Sequence, residues 1–293
     1  MANTGAISLK DRLQNAAARL VLGGALLIPY PARVRTVGWI FSNLVAPFVG
    51  WRKRIRDNLA LVLPDLPETD IRRIERKVPD NVGRTLIEIY SGDEFIKRVA
   101  QAPLVGPGLD ALEAAKASDA PLILITAHMG NYDAVRGTLA RQGLPMAALY
   151  KPMTNALFNE HYVRAISAIA DPVFPTDSTG IPALIRHLRN GGTIGIVGDV
   201  ASRKAPILSF FGHAAHTPLS AAEWAIKFDA PLIPVYGIRQ PDGLSFELYV
   251  DAPLERSTPE EMMQRYNESV EAIARDHLDQ WFWVHRRWKS RGA

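Results

Sequence analysis

The chain has 293 residues, of which 47% are hydrophobic, 22% charged and 8% aromatic, and it contains no cysteine. This composition excludes a disordered or fibrous protein, and the length is sufficient to bury at least one full core. The lack of cysteine excludes disulfides, thiolate metal sites and a cysteine nucleophile.

The formal net charge of +4 is unevenly distributed along the chain. Residues 1–60 hold nine basic and two acidic side chains, and residues 285–293 hold four basic and no acidic ones. The segment between them is therefore net acidic. This pattern is not typical of a general nucleic-acid-binding protein, and it indicates instead that the two ends meet an anionic surface or ligand.

The first 56 residues combine apolar and basic side chains in a way that favours contact with a membrane. No stretch reaches the roughly 18–20 uninterrupted apolar residues of a spanning helix, because the run over residues 20–30 meets Pro29 and Pro31. Basic residues before a short apolar run also resemble a secretory signal, but no small-x-small cleavage site follows. We predict one or two interfacial helices over residues 8–56. An ordinary amphipathic helix packed on the protein is the alternative.

The rest of the chain indicates helices first and then an alternation of strands and helices. Apolar spacing predicts helices over residues 52–100. Short apolar runs predict strands at 121–127, 146–150, 193–198, 231–238 and 245–250, the last alternating like an edge strand, with helices at 155–170, 179–190 and 217–229 and a capped helix from Thr258. The order predicts an α/β fold, with a largely parallel or mixed central sheet flanked by helices. We divide the chain into an N-terminal helical, membrane-associating region, 1–100, and an α/β domain, 101–293, the two forming one structural unit.

Residues 126–133 are the most informative segment for chemistry. His128 follows an apolar strand at its C-terminal tip, where open α/β sheets place their ligands, and Asp133 falls five residues later. A carboxylate that holds an imidazole and stabilises the imidazolium makes a general base. In the alternative interpretation, His128 is a polar strand-end residue and Asp133 a helix cap.

Other signals for a binding or catalytic site are weaker. Residues 106–111 imitate a dinucleotide fingerprint but follow no convincing strand, which favours a turn with a helix start. His213 and His216 could ligate a metal, yet no third ligand is near them in the sequence. No nucleophile elbow or P-loop motif is present, which disfavours a serine hydrolase or a P-loop nucleotide enzyme. We expect no metal and no cofactor.

Residues 279–291 combine three Trp, one Phe and four basic side chains. Aromatic rings beside cations suit a lipid headgroup interface. They would also suit stacked single-stranded nucleic acid, although no RNA-binding fold signature accompanies them. A third interpretation places the Trp rings in the core and the basic groups in water.

With these residues in view, the sequence resembles the late (lauroyl/myristoyl) acyltransferases of lipid A biosynthesis in Gram-negative bacteria, within the H-x-x-x-x-D/E acyltransferase superfamily. The resemblance runs over nearly the whole chain. Five blocks in order carry it: residues 56–64 (RNL…FP), 128–133 (H-x-x-x-x-D/E), 150–155 (Y-R-P-x-x-N), 198–234 (D…FFG…T…iP) and 285–291 (H-R-R-F-K-T-R). Two positions depart from the family pattern, since Lys151 stands where Arg is usual and Tyr132-Asp133 replaces the commoner Trp-Glu.

The resemblance implies transfer of a fatty acyl group from acyl carrier protein to a hydroxyl on a 3-hydroxyacyl chain of a lipid A precursor. His128 would deprotonate that hydroxyl and Asp133 would orient His128. Backbone amides or Arg164 would stabilise the oxyanion, and the basic groups would meet the phosphates of the acceptor or the acidic carrier protein. Asp199 either positions the acceptor or the catalytic residues, or caps a turn. The substrate-binding candidates are Asn131, Lys151, Arg164, Asp199, Arg286 and Arg287.

The same resemblance implies a location at the cytoplasmic face of the inner membrane, with membrane lipids as partners and no nucleic acid. The nearest alternative is a lysophospholipid or other glycolipid acyltransferase of the same superfamily, although the F-P-E-G-T/S-R block usual in those enzymes is missing here. A non-catalytic membrane-surface binding protein is an alternative of a different class.

Overall fold

The computed structural model describes residues 8–118 and 120–288, and helices occupy the first part of that range. In chain order they are α1 (Leu9–Leu26), α2 (Tyr30–Ile40), a π-helical turn (Phe41–Val45), α3 (Ala46–Phe48), α4 (Trp51–Val62), α5 (Glu68–Tyr90) and α6 (Asp93–Val99). The helices predicted over residues 52–100 are therefore confirmed. Residues 8–56 are helical as expected, in more pieces than the predicted one or two.

Strands and helices alternate through the remainder of the described chain. They are β1 (Leu104–Val105), α7 (Leu109–Lys116), β2 (Leu122–Thr126), α8 (Tyr132–Arg141), β3 (Met146–Tyr150), α9 (Ala156–Ile169), β4 (Val173–Pro175), α10 (Gly180–Arg189), β5 (Thr193–Val197), β6 (Ile207–Phe210), β7 (His213–His216), α11 (Ser220–Lys227), β8 (Leu232–Arg239), β9 (Phe246–Val250) and α12 (Pro259–Asp276). This alternation confirms the predicted α/β fold.

Seven strands form the central sheet in the order β1-β9-β8-β2-β5-β3-β4. All neighbouring pairs are parallel except β8 with β9, which is antiparallel. The prediction of β9 as an edge strand is wrong, because the two-residue strand β1 pairs with its outer side. The hairpin of β6 and β7 is a separate two-stranded sheet that the apolar pattern did not reveal.

Strand β2 lies at the centre of the sheet, and its five residues are all buried. Leu122 and Leu124 pack on one face with residues of α2, α6, α8 and α9. Ile123 and Ile125 pack on the other face with residues of α4, α10, α11 and α12. Both faces of a mostly parallel sheet are therefore covered, which explains why β2 reads as a continuous apolar run.

Helix α5 contacts the loop that follows β2, which is the loop that carries His128. The Asn81 side-chain amide and the Thr85 hydroxyl both donate to the Gly130 carbonyl, at 2.8 and 3.1 Å. The loop over residues 127–131 is thereby held against a long helix rather than left in solvent.

The exposed large apolar side chains are concentrated in the N-terminal helices. No residue of α1 is buried, and the exposed set there comprises Leu9, Leu13, Leu20, Val21, Leu26, Leu27, Trp39, Leu44, Phe48 and Val49. Among residues 8–118 and 120–288, no helix has both the length and the apolar character needed to cross a membrane.

The close crossing of α2 and α5 gives a testable expectation for stability. A methyl group added at Gly83 would lie 2.7 Å from the Val37 carbonyl oxygen and 2.8 Å from the Phe41 Cβ. We expect Gly83→Ala to force the helices apart and to lower the free energy of unfolding by about 1–3 kcal/mol, measured by thermal or urea denaturation. Gly23→Ala on α1 is the control, because nothing lies within 4 Å of its added methyl, and it should be neutral or stabilising. Equal stability of the two variants would contradict the close crossing.

Candidate active site

The site forms where two neighbouring parallel strands end side by side. Thr126 at the end of β2 pairs with Val197 at the end of β5. His128 follows the first strand by two residues and Asp199 follows the second by two. Because the carboxyl ends of parallel strands meet at one edge of a sheet, this register brings the two side chains together.

His128 and Asp199 are joined by two hydrogen bonds. The Nδ1 atom of His128 lies 2.7 Å from Asp199 Oδ1, and the backbone N–H of His128 donates to Asp199 Oδ2 at 2.9 Å. Asp199 is buried, with 1% of its surface exposed, whereas the His128 side chain is 29% exposed. No described residue hydrogen-bonds the Nε2 atom of His128. An Asp carboxylate therefore fixes one ring nitrogen, and the other has no hydrogen-bond partner among the described residues.

The hydrogen bond expected between Asp133 and His128 is not what the structure shows. Asp133 lies in the first turn of α8 and its Oδ1 accepts from Arg136 at 2.7 Å, three residues along the same helix. Arg136 in turn donates to the Ala170 carbonyl at 2.6 Å. The Asp133 carboxylate, on α8, therefore lies in a buried ion pair with Arg136. The carboxylate beside His128 is that of Asp199, which follows the adjacent strand β5.

The C-terminal segment also contacts Asp199, and these contacts were not predicted from the sequence. The Trp281 indole N–H donates to Asp199 Oδ2 at 3.0 Å, and His285 Nε2 lies 3.7 Å from the same oxygen. The Phe282 N–H donates to the His128 carbonyl at 2.9 Å. The segment is thus paired with the loop that carries His128, and the only sequence signal for it was the position of His285 in the fifth family block.

The surroundings of His128 and His285 shift the pKa values of these two histidines in opposite directions. Burial lowers the pKa of His128, but the charge and the hydrogen bond of Asp199 raise it by more, so the pKa lies above its ordinary value. Burial also opposes ionisation of Asp199, yet the adjacent His128 and its hydrogen bonds hold the Asp199 pKa well below the usual range. For His285, burial dominates and lowers the pKa to about 4. Of the two histidines, His128 is therefore the one whose protonated form is favoured by its surroundings.

His128, Asp199 and His285 could also serve as metal ligands, since one donor atom from each lies within 4.8 Å of the others. Metal ligands at about 2.0–2.1 Å in tetrahedral geometry stand about 3.3 Å apart. The 2.7 Å between His128 Nδ1 and Asp199 Oδ1 is shorter than that and fits a shared proton. The geometry favours a hydrogen-bonded pair over an ion between these two atoms.

His128 lies between two cavities. One, the strand cavity, has a volume of about 380 Å³ and extends along β3 and β5. The other, the helix cavity, has a volume of about 130 Å³ and lies beside α5, where Val78, Val82 and Phe282 form much of its wall. Tyr132 borders both cavities, and burial raises its pKa, which keeps the phenol neutral. A reacting group could approach His128 from either side.

The remaining predicted substrate-binding residues divide into accessible and inaccessible groups. Lys151 is exposed and borders the strand cavity. Arg164 is exposed on α9 but borders neither cavity at His128, which separates it from any oxyanion formed there. Asn131 is fully buried, capping α8 through Asp133 N–H and donating to Glu88. Its environment is that of a structural residue.

The basic and aromatic C-terminal run does not form one continuous interfacial surface. Arg287 is buried and donates to the His216 carbonyl, to Thr217 and to Asn267, so it is not available to a phosphate. Arg286 is exposed, while Lys289 and Arg291 lie outside the described residues. Trp281 and Trp283 are fully buried and pack edge to face. For these two rings the core interpretation is confirmed, and the headgroup interpretation is wrong.

Trp281 offers a test of how Asp199 is held. Trp281→Phe keeps an aromatic ring but removes the indole N–H that donates to Asp199. We expect the less stabilised carboxylate to attract the imidazolium more strongly, so that the pKa of His128 rises further, as measured by NMR titration of the imidazole. Trp283→Phe is a matched control, because this equally buried indole donates to the Leu278 carbonyl. Equal shifts in both variants would contradict the role of Trp281.

Comparison with known proteins gives matches that cover most of the chain. The model of a family described as bacterial lipid A biosynthesis acyltransferase matches residues 14–290. Two relatives from Haemophilus influenzae named lipid A biosynthesis acyltransferase are 24% and 23% identical over 91% and 82% of this chain and 87% and 76% of their own. The lipid A biosynthesis lauroyltransferase of Escherichia coli strain K12 is 24% identical over 92% of this chain and 90% of its own.

Proposed function

The chain belongs to the bacterial lipid A biosynthesis acyltransferase family, and from that premise we propose that it transfers a fatty acyl group from acyl carrier protein to a hydroxyl of a lipid A precursor. The observation that carries this proposal is His128, whose Nδ1 is bound by a buried carboxylate and whose side chain lines two cavities. Such an imidazole is suited to remove a proton from an incoming hydroxyl.

The proposed reaction is an acyl transfer in two steps. The Nε2 atom of neutral His128 accepts the proton of the acceptor hydroxyl as its oxygen attacks the thioester carbonyl, and a tetrahedral intermediate forms. The carbon–sulfur bond then breaks, and the imidazolium returns the proton to the departing thiolate. The products are an ester on the acceptor and a free thiol on the carrier, so protons and electrons balance without a cofactor.

Asp199 is proposed to act through His128. Its carboxylate holds the Nδ1–H tautomer, which directs the lone pair of Nε2 toward the substrate, and it stabilises the positive charge that forms on the ring. Because the Asp199 charge raises the pKa of His128, the imidazole is a stronger base. Its neutral form is then present only at higher pH than for an ordinary histidine.

The strand cavity is proposed to hold the donor acyl chain. Its volume of about 380 Å³ lies within the range of roughly 300–1,000 Å³ typical of small-molecule sites. Met146, Ile166 and Val173 supply apolar walls, and we propose that Lys151, exposed at the same cavity, meets an acidic carrier protein. Burial of a saturated chain there would favour binding through the hydrophobic effect.

We extend the proposal to peripheral attachment at the cytoplasmic face of the inner membrane, through the exposed apolar side chains of the N-terminal helices. Leu13, Leu20 and Phe48 are 63%, 78% and 89% exposed, and α1, which carries the first two, also holds Lys10, Arg12 and Arg19. Replacing these three by Ser should sharply reduce the fraction of protein that floats with anionic vesicles in a density gradient.

The matched control for vesicle binding replaces three exposed apolar residues elsewhere. Ile181, Val200 and Ile207 are 37%, 44% and 61% exposed, and their replacement by Ser should leave flotation unchanged. Wild-type protein that fails to bind vesicles, or equal losses in the two triple variants, would contradict the attachment.

The function is tested with purified protein, acyl carrier protein thioesters and a lipid A precursor. We expect the acyl group to appear on the glycolipid by mass spectrometry, and not on lysophospholipid supplied in a parallel reaction. Transfer to lysophospholipid alone would assign a different acceptor. Failure to transfer to either would support a non-catalytic membrane-binding protein.

A further inference from the structure

A cleft with several basic side chains lies next to the helix cavity and plays no part in the chemistry described so far. This basic cleft has a volume of about 480 Å³ and lies between α2, α5 and the turn that joins β8 to β9. It shares Asn81 and Gln280 with the wall of the helix cavity. Its basic lining residues are Arg35, Lys77, Arg84 and Arg239.

Two of these basic groups are committed to partners in the fold. Arg84 pairs with Asp80 at 2.5 Å, and Arg239 pairs with the buried Glu88 at 2.6 Å. Arg35 and Lys77 are exposed, and neither forms an ion pair with any carboxylate of the described residues. They are the basic groups of the cleft that remain free to meet an anion.

The acidic residues of the cleft do not cancel those two charges locally. Asp80 is paired with Arg84, and Asp279 accepts from Arg73 at 3.3 Å. Asp242 accepts the backbone N–H groups of Leu244 and Ser245 at 2.8 and 2.9 Å. Asp80 and Asp279 are ion-paired, whereas Asp242 has only backbone donors and keeps its negative charge. The two unpaired basic groups of the cleft therefore face one carboxylate that has no ion-pair partner.

The cleft is also continuous with the exposed apolar surface. Arg35 and Trp39 are four residues apart on α2 and so lie on one face of the helix. Trp39 is 56% exposed, and Leu44 and Phe48 beyond it are 49% and 89% exposed. A basic side chain one turn from an exposed Trp is the arrangement found at lipid headgroup level.

We infer that the basic cleft binds a phosphate of the acceptor glycolipid's headgroup, while the helix cavity admits its hydroxyl-bearing acyl chain to His128. The inference rests on the proposed function. In this arrangement the two substrates reach His128 through different cavities. The donor chain enters through the strand cavity, and the acceptor enters through the helix cavity beside α5. The adjoining apolar surface favours a membrane lipid over the phosphate-bearing arm of a soluble carrier protein as the source of the anion.

The test is the double variant Arg35→Gln/Lys77→Gln, assayed with a phosphorylated acceptor and with the same acceptor after removal of its phosphates. We expect the KM for the phosphorylated acceptor to rise about tenfold, with kcat and the KM for the acyl donor unchanged. With the dephosphorylated acceptor, wild type and variant should have the same KM. The control Arg76→Gln/Arg186→Gln removes two exposed positive charges that lie outside the cleft and should behave as wild type.

Three outcomes overturn the inference: an unchanged acceptor KM, an equal rise in the control variant, or a rise in the donor KM instead. Each of these requires that the wild type transfers acyl groups to the glycolipid. If the wild type transfers none, the proposed function itself fails, so the two failures are distinguishable. Thermal denaturation of both double variants separates a binding effect from misfolding.

Discussion

Replacing His128 by Ala should reduce the rate of acyl transfer by about 10²–10⁴-fold, the largest loss expected from a single side chain. Among the described residues, His128 and Tyr132 border both cavities, and burial raises the pKa of the Tyr132 phenol, so His128 is the group suited to act as the base. Without it, the acceptor hydroxyl would attack in its protonated form. The measurement is the initial rate of transfer with saturating donor and acceptor.

The control for that variant is His213→Ala. His213 lies on β7, in the hairpin away from both cavities at His128, and its replacement should leave the rate near the wild-type value. An active His128→Ala variant would require a different base. Equal losses in the two variants would indicate a general effect of removing a histidine rather than a role in the reaction.

Replacing Asp199 by Asn should lower the rate by about 10³-fold, through the tautomer of His128. Asp199 Oδ2 accepts from the His128 backbone and from Trp281, so the oxygen of Asn would take that position. The Asn amide would then face Nδ1 and donate to it, which places the ring proton on Nε2. Loss of the carboxylate charge should also lower the pKa of His128 toward or below its ordinary value.

Asp133→Asn is the comparison that separates the two carboxylates. Asp133 and Arg136 form a buried ion pair in which the side chains are 3% and 7% exposed. Removing one charge of such a pair costs about 3–5 kcal/mol of stability, so a lower melting temperature is expected. The pKa of His128 should not move, since the carboxylate hydrogen-bonded to His128 is that of Asp199.

The sheet and its edge could be predicted because the relevant signals are local. Four continuous apolar runs fall on β2, β3, β5 and β8, and an alternating run falls on β9, since buried strands of a mostly parallel sheet favour continuous apolar sequence. The position of His128 at a strand tip followed from the same pattern. The strands that were missed are short or lie in an exposed hairpin, where β6 carries only one buried residue and no clear apolar run arises.

The partner of His128 was harder to predict because it depends on strand order. Asp133 is near His128 in sequence, and a nearby carboxylate is the natural choice when only spacing is known. Asp199 lies 71 residues away and reaches His128 only because β5 is the neighbour of β2. The hydrogen bond from Trp281 to Asp199 was harder still to predict, because it depends on how the C-terminal segment packs against the site.

The most direct test of the account is the pH dependence of kcat/KM for acyl transfer in wild type, Asp199→Asn and Asp133→Asn. His128 must be neutral to accept a proton, so activity should be lost as pH falls through its pKa. We predict a wild-type midpoint above the ordinary histidine value of about 6.5, a lower midpoint with Asp199→Asn, and no shift with Asp133→Asn. An unchanged midpoint in Asp199→Asn, or a shift in Asp133→Asn alone, would contradict the pairing of His128 with Asp199.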